Sequence, residues 1–205
     1  MKPNSFLLFV VLASFALMTS RCKKNTVDQL SLLPSATTTG ANTFGCLVNG
    51  VAMLPKNGTP TWSNPYPNKG VDVLFSPYDI VDISIYNARD GAPSGFFLRF
   101  HFTNFSLLQP GDYEWKQSSF GTEAFPYYYN HVYGSFYNSA TNNYSWFGSY
   151  DNSGKITVKR FDTTNHIISV TFSGKMKEKN GTMEIPIDNG RFDINWKTVA
   201  DKKFP

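Results

Sequence analysis

From Thr43 to the end of the chain, apolar and polar positions alternate with a period of two, and no window of helical length keeps a period near 3.6. Phe96, Leu98, Phe100 and Phe102 face one way; Phe97, Arg99, His101 and Thr103 face the other. Val71-Val73-Phe75, Val81-Ile83-Ile85, Ile168-Val170-Phe172 and Phe192-Ile194-Trp196 repeat the pattern. One dry face and one wet face is how antiparallel sheet reads. Asn49-Gly50 and Asn189-Gly190 predict two-residue hairpin turns, because Asn and Gly accept the positive φ that such turns demand. Asp151 to Gly154 and Asp162 to Asn165 predict slightly longer turns, and Leu54 to Gly70, with four prolines, a long loop. The expectation is an all-β domain of about ten to twelve strands, an antiparallel sandwich or a barrel. From about Val132 to Trp196 its strands should run as a meander, roughly six hairpin-linked strands in succession.

Composition supports sheet over helix: aromatic residues reach 16%, hydrophobic residues 41%, and charged residues only 17%. The formal charge of +4 is concentrated at the front. Lys2 and Arg21 precede Cys22 and no acid does, so the remainder carries 17 basic against 15 acidic side chains. That near-balance lacks the basic footprint of a nucleic-acid binder, and no nucleic-acid partner is expected.

The N-terminus reads as an address. Lys2 is followed by an apolar run from Phe6 to Met18, too short at about 20 Å of helix to span a bilayer core of about 30 Å. A positive start, a short apolar run and small polar residues make a secretory signal peptide. Thr19-Ser-Arg-Cys22 resembles a bacterial lipobox, in which the cysteine thiol receives a diacylglycerol; Thr19 and Arg21 depart from the usual Leu and small residue. The organisation expected is a lipoprotein-type signal peptide over residues 1–22, a flexible tether over 23–42, and a single all-β domain over 43–205. Lys23 to Asn42 is rich in Thr and Ser, with Pro34 and Gly40, and only Leu30, Leu32 and Leu33 offer a docking surface. With Cys22 lipidated, Cys46 has no partner; it alternates with Phe44 and Val48 and reads as a small buried hydrophobe.

No catalytic constellation stands out, and no cofactor or metal site is expected. His101, His131 and His166 are isolated in sequence, with no second ligand at metal spacing. Asp112 and Glu114, two apart beside Trp115, could form a glycosidase-like pair, although Gly111-Asp112 reads equally as the end of a turn. The one departure from the background lies between Phe120 and Tyr150, where twelve of 31 residues are aromatic among Asn, Ser, Gly and Thr. From Gln117 to Gly154 there is no Lys or Arg. Flat rings beside amides and hydroxyls suit a neutral hydrated ligand such as a glycan. They equally suit cross-strand packing, or an adaptable protein-binding surface. The candidate ligand-binding residues are Trp115, Tyr127, Tyr128, Tyr129, Tyr133, Trp146 and Tyr150.

Three segments, Thr38 to Gly50, Arg160 to Asn165 and Asn189 to Trp196, resemble a family of β-rich Bacteroidota lipoproteins with no assigned activity. The resemblance implies an envelope location and an all-β domain, and it carries no functional residues. Asp162-Thr163-Thr164 is similar to an O-glycosylation site of that group, and also makes a good turn. Lys23-Lys24 departs from the acidic residues that follow the cysteine of surface-exported members, which favours the periplasmic side, with the outer membrane as the membrane expected. The expectation is a non-enzymatic envelope lipoprotein binding a glycan, another neutral ligand or a protein partner, or a secreted domain if Cys22 is not lipidated. A β-sandwich or barrel hydrolase and a purely structural envelope protein are the alternatives.

Overall fold

A computed structural model describes residues 27–205 except 64, 66–67, 88–94, 122–129 and 139–140. Cys22 and the tyrosines Tyr127 to Tyr129 therefore lie outside the described residues. The described chain is all-β, with eleven strands in one antiparallel sheet curled into a half-barrel. They are β1 (Thr43–Val48), β2 (Val51–Met53), β3 (Val71–Ser76), β4 (Ile80–Asn87), β5 (Phe96–Phe102), β6 (Gly111–Glu114), β7 (His131–Asn138), β8 (Asn143–Gly148), β9 (Gly154–Asp162), β10 (Ile167–Glu178) and β11 (Glu184–Asn195). The path runs β2-β1-β11-β10-β8-β7-β5-β4-β3, with β9 paired to β10 and β6 to β9. No helix among the described residues is long and apolar enough to cross a membrane.

Alternation explains the curl. The dry faces of the two arms meet, so that Phe100 of β5 lies 4.7 Å from Phe172 of β10, 5.4 Å from Phe192 of β11 and 6.3 Å from Phe44 of β1, centroid to centroid. Each such ring, buried to a few per cent, contributes roughly 1.5–3 kcal/mol of burial. Cys46 is fully buried among them, and burial pushes its thiol far up, so it packs as a hydrophobe.

Four expectations change on contact with the structure. The meander has five strands, not six, and breaks between β8 and β9, which do not pair. Both join β10 instead: β9 along Ile167 to Gly174, and β8 only at Lys177 and Glu178. The cause is the length of β10, twelve residues, whose one edge takes β9 along Ile167 to Gly174 and still has Lys177 and Glu178 left for β8. Asn189-Gly190 is not a hairpin turn but lies inside β11, where Asn189 takes a φ of 51°. A Cβ on Gly190 would come within 2.2 Å of the Phe172 ring, so the glycine makes room for a core side chain. The β10–β11 turn falls at Lys179 to Met183, around Asn180-Gly181. Asn49-Gly50 does form the turn expected, with φ of 51° and 75°.

The fourth change concerns residues 27–42, expected as the distal part of a flexible tether. They are laid along the domain: Gln29–Leu32 forms a 3-10 turn, Leu33 is buried, and Gln29 Oε1 accepts from the Ala52 N–H at 3.0 Å. The chain then wraps Asp193, which is 1% exposed. Its carboxylate accepts from Thr37 Oγ1 (2.6 Å), the N–H groups of Thr39 (2.9 Å), Gly40 (2.8 Å) and Ala41 (3.0 Å), and Ser169 Oγ (2.5 Å). Burial works against this charge, but the five donors outweigh it and hold the carboxyl below its usual range. Arg160 bonds the Thr38 carbonyl at 2.7 Å, and Asn195 bonds both Asn42 and Asn165. Residues 37–42, the β9–β10 turn and the end of β11 thus converge on one knot around Asp193.

Candidate functional site

The wet face of the sheet is ordered in rows that cross the strands. One row runs Ser84 (β4), Arg99 (β5), Tyr133 (β7), Gly148 (β8), Lys177 (β10) and Glu184 (β11), each directly opposite the next. The neighbouring rows are Tyr86-Phe97-Ser135-Trp146 and Asp82-His101-His131. Because the side-chain period is two, paired residues share a face, and six strands contribute to one continuous surface.

Arg99 anchors this surface. Its Nε donates to Ser84 Oγ at 2.9 Å and its Nη1 to the Tyr133 hydroxyl at 3.0 Å, with Asp82 at 3.8 Å. The guanidinium lies 5.2 Å from the Phe97 ring centroid and 5.7 Å from that of Tyr133. Burial disfavours its charge, but Tyr133, Asp82 and Tyr86 more than compensate, so it stays firmly protonated. In the adjacent row His101 Nδ1 is 2.8 Å from Asp82 Oδ1, and the His101 and His131 rings stack 4.5 Å apart. Ser119 Oγ is 3.4 Å from His131 Nε2. Two histidines that are isolated in sequence are therefore neighbours in space, although no trio of His, Cys, Asp or Glu among the described residues is placed to hold a metal. His101 Nε2 is buried with no hydrogen-bond partner among the described residues.

On this floor stand the exposed rings. Trp146 is 44% exposed, yet its indole is held edge-on by Phe97 at 5.9 Å and tilted on Tyr133 at 6.2 Å. Tyr144, 37% exposed, packs edge-on against Tyr137 at 5.7 Å. Phe120 lies across Gly148, where a Cβ would meet its ring at 2.6 Å, and Lys179 Nζ sits 5.2 Å above that ring. The turn after β10 rises beside them and creates two adjoining clefts. One, of about 450 Å³, is lined by Phe120, Tyr150, Gln117, Lys177, Lys179 and Asn180; the other, of about 270 Å³, by Tyr144, Trp146, Glu178 and Lys179. Tyr150 closes one wall, its hydroxyl donating to Glu184 Oε1 at 2.9 Å, a bond that raises the phenol's pKa.

The candidate residues divide accordingly. Trp146 and Tyr150 reach the clefts. Tyr133 is 4% exposed and supports Trp146 from below. Trp115 is fully buried, its indole laid over Gly154 and Gly174, so it offers no ring to a ligand. Both glycines are required there, since a Cβ on either would come within 2.6 Å of the indole. Asp112 and Glu114 stand elsewhere, on β6; Asp112 accepts from Thr157 Oγ1 at 2.6 Å and Lys155 Nζ at 3.1 Å, contacts that hold its carboxyl below the usual range. Sequence reasoning passed over Lys177 and Lys179; alternation with buried Met176 marks Lys177 as a wet-face residue, and Lys179 follows two positions on, at the start of the turn. Comparison with protein-family models, with curated proteins and with solved structures finds no match for the chain.

Proposed function

We propose that this is a non-enzymatic binding domain of an envelope lipoprotein, and that its ligand is a glycan stacked on the exposed rings beside the β10–β11 turn. The observation that carries the reading is Trp146: a large apolar face left 44% open to water while two other aromatic rings fix its orientation. A ring immobilised in advance loses little side-chain entropy when a sugar face stacks on it. Around it, Asn180, Gln117, Tyr144 and Tyr150 supply the amide and hydroxyl groups that sugar hydroxyls need. A protein partner would use similar residues, but the two clefts that meet at Lys179 suit a chain of small rings better than a flat interface.

The anchor in this proposal is a lipid on Cys22, on the periplasmic side of the envelope, supported by the charged, apolar and polar segments that precede it. Because Gln29 and Leu33 are held against the sheet, less of the chain after Cys22 is left to act as a tether than its composition alone suggests, and the domain works close to the headgroups.

Screening the protein and its Trp146→Ala variant against immobilised oligosaccharides tests the ligand. The expected result is binding by the first and a loss of at least about tenfold in the second, with thermal stability within about 0.5 kcal/mol. Equal binding by both would remove Trp146 as the platform.

A further inference from the structure

The clefts continue into a track of positive charge. Lys175 and Lys177 of β10 and Lys179, the first residue of the turn that follows it, alternate along the chain, and all three are exposed. Beside the middle of β10 lies a third cleft, of about 310 Å³, whose lining includes Arg191, Lys155, Thr171, Ser173 and Asn189. Six residues of strand separate Ser173 from Lys179, about 20 Å. Arg191 is fixed from behind, with Nε donating to the Pro34 carbonyl at 2.6 Å and Nη1 to that of Asn189 at 3.2 Å, while its Nη2 has no partner among the described residues.

The acids along this track are largely engaged. Asp112 is taken by Lys155 and Thr157; Glu184 accepts from Tyr150 and faces Lys175 at 3.8 Å; Glu178 folds against the turn, its Oε2 2.1 Å from where a Gly181 Cβ would be. Lys177 has no ion-pair partner among the described residues, and Lys179 is held over Phe120 rather than over a carboxylate. Cations without counter-charges beside a stacking platform select an anionic ligand over a neutral one.

We infer that the ligand is an acidic polysaccharide, a uronic-acid or sulfated chain. One sugar stacks on Trp146, its neighbours set carboxylates or sulfates on Lys177 and Lys179, and the chain runs along β10 to a second anchoring point at Arg191. This rests on the stacking role of Trp146 proposed above. Single-stranded nucleic acid is also anionic and also stacks, but five cations interrupted by three acids make a poor phosphate track.

Calorimetric titration of the protein with oligogalacturonides, with neutral galacto-oligosaccharides of equal length and with single-stranded DNA tests the inference, at about 50 mM and about 500 mM salt. Acidic chains should bind at least about tenfold more tightly than neutral ones, and added salt should narrow the gap. Lys177→Gln with Lys179→Gln should erase the preference, so that acidic and neutral chains of equal length bind this variant alike; Arg191→Gln should weaken long acidic chains and spare short ones. Equal affinity for neutral and acidic chains, lost together in Trp146→Ala, would overturn the acidic preference and leave the stacking site standing. No binding of either sugar would overturn both. DNA bound as tightly as the oligogalacturonides would also overturn the inference.

Discussion

Replacing Asp193 probes the knot that fastens the N-terminal segment to the sheet. Five donors converge on a carboxylate that is 1% exposed, three of them consecutive backbone N–H groups of the 39–41 loop. A hydrogen bond to a charged group contributes roughly 1.5–3 kcal/mol, but these five form as a unit, and water re-solvates the loop once it is released. Asp193→Ala is therefore expected to remove about 3–5 kcal/mol, and Asp193→Asn, which keeps one acceptor oxygen, about 2–3 kcal/mol. Against a total stability of about 5–15 kcal/mol, either is large. Urea unfolding followed by tryptophan fluorescence gives the magnitude, and limited proteolysis between Pro34 and Asn42 reports whether the segment has lifted. The pH dependence has a definite sign. A carboxyl whose folded pKa is depressed stabilises fully above its unfolded value of about 3.9, and that contribution disappears as pH falls through the folded pKa. Asp193→Asn should lack this part of the acid destabilisation, so the gap between the two proteins should close below about pH 4. A loss under about 1 kcal/mol in Asp193→Ala, with unchanged protease resistance, would mean that the segment is not fastened through this carboxylate.

Other consequences follow from the core and the termini. Trp115→Ala should destabilise by about 3–5 kcal/mol through cavity formation, without the ligand-binding loss expected of Trp146→Ala; chemical denaturation and titration together separate the two. Gly174→Ala should cost about 1–3 kcal/mol in a denaturation midpoint, because its Cβ would lie 2.5 Å from the Trp115 indole and 2.6 Å from the Gly154 backbone. The Cys46 thiol should resist alkylation in the folded protein and react fully in denaturant, as followed by mass spectrometry; labelling under native conditions would contradict its burial. Mass spectrometry of the mature N-terminus should find an acylated Cys22, and an unmodified or differently cleaved chain would remove the anchor.

The period-two pattern made the fold class legible, because burial on one face of a strand imposes it locally: Phe96 to Phe102 is the core of β5. What was not legible depends on residues far apart in the chain. Thr37 to Ala41 has the composition of a linker, and only Asp193, some 150 residues away, turns its N–H groups into an anchor. Asn189-Gly190 carries a turn signature, yet Phe172 decides that it is a bulge. Trp115 and Trp146 look alike as candidate binding rings; the close approach of Gly154 and Gly174 buries one, while the Phe97–Tyr133 floor holds the other at the surface. The gap in positive charge from Gln117 to Gly154 suggested a neutral ligand, but β10 brings Lys177 and Lys179 to the same rings through its pairing with β8. A site assembled across strands takes its charge from all of them.

A crystal structure of the protein with a bound acidic oligosaccharide would examine the stacking site and its cations together. A sugar ring should lie on the exposed face of Trp146, with carboxylates within hydrogen-bonding distance of Lys177 and Lys179. A sugar seated on another face of the barrel, with Trp146 left open to solvent, would rule this site out.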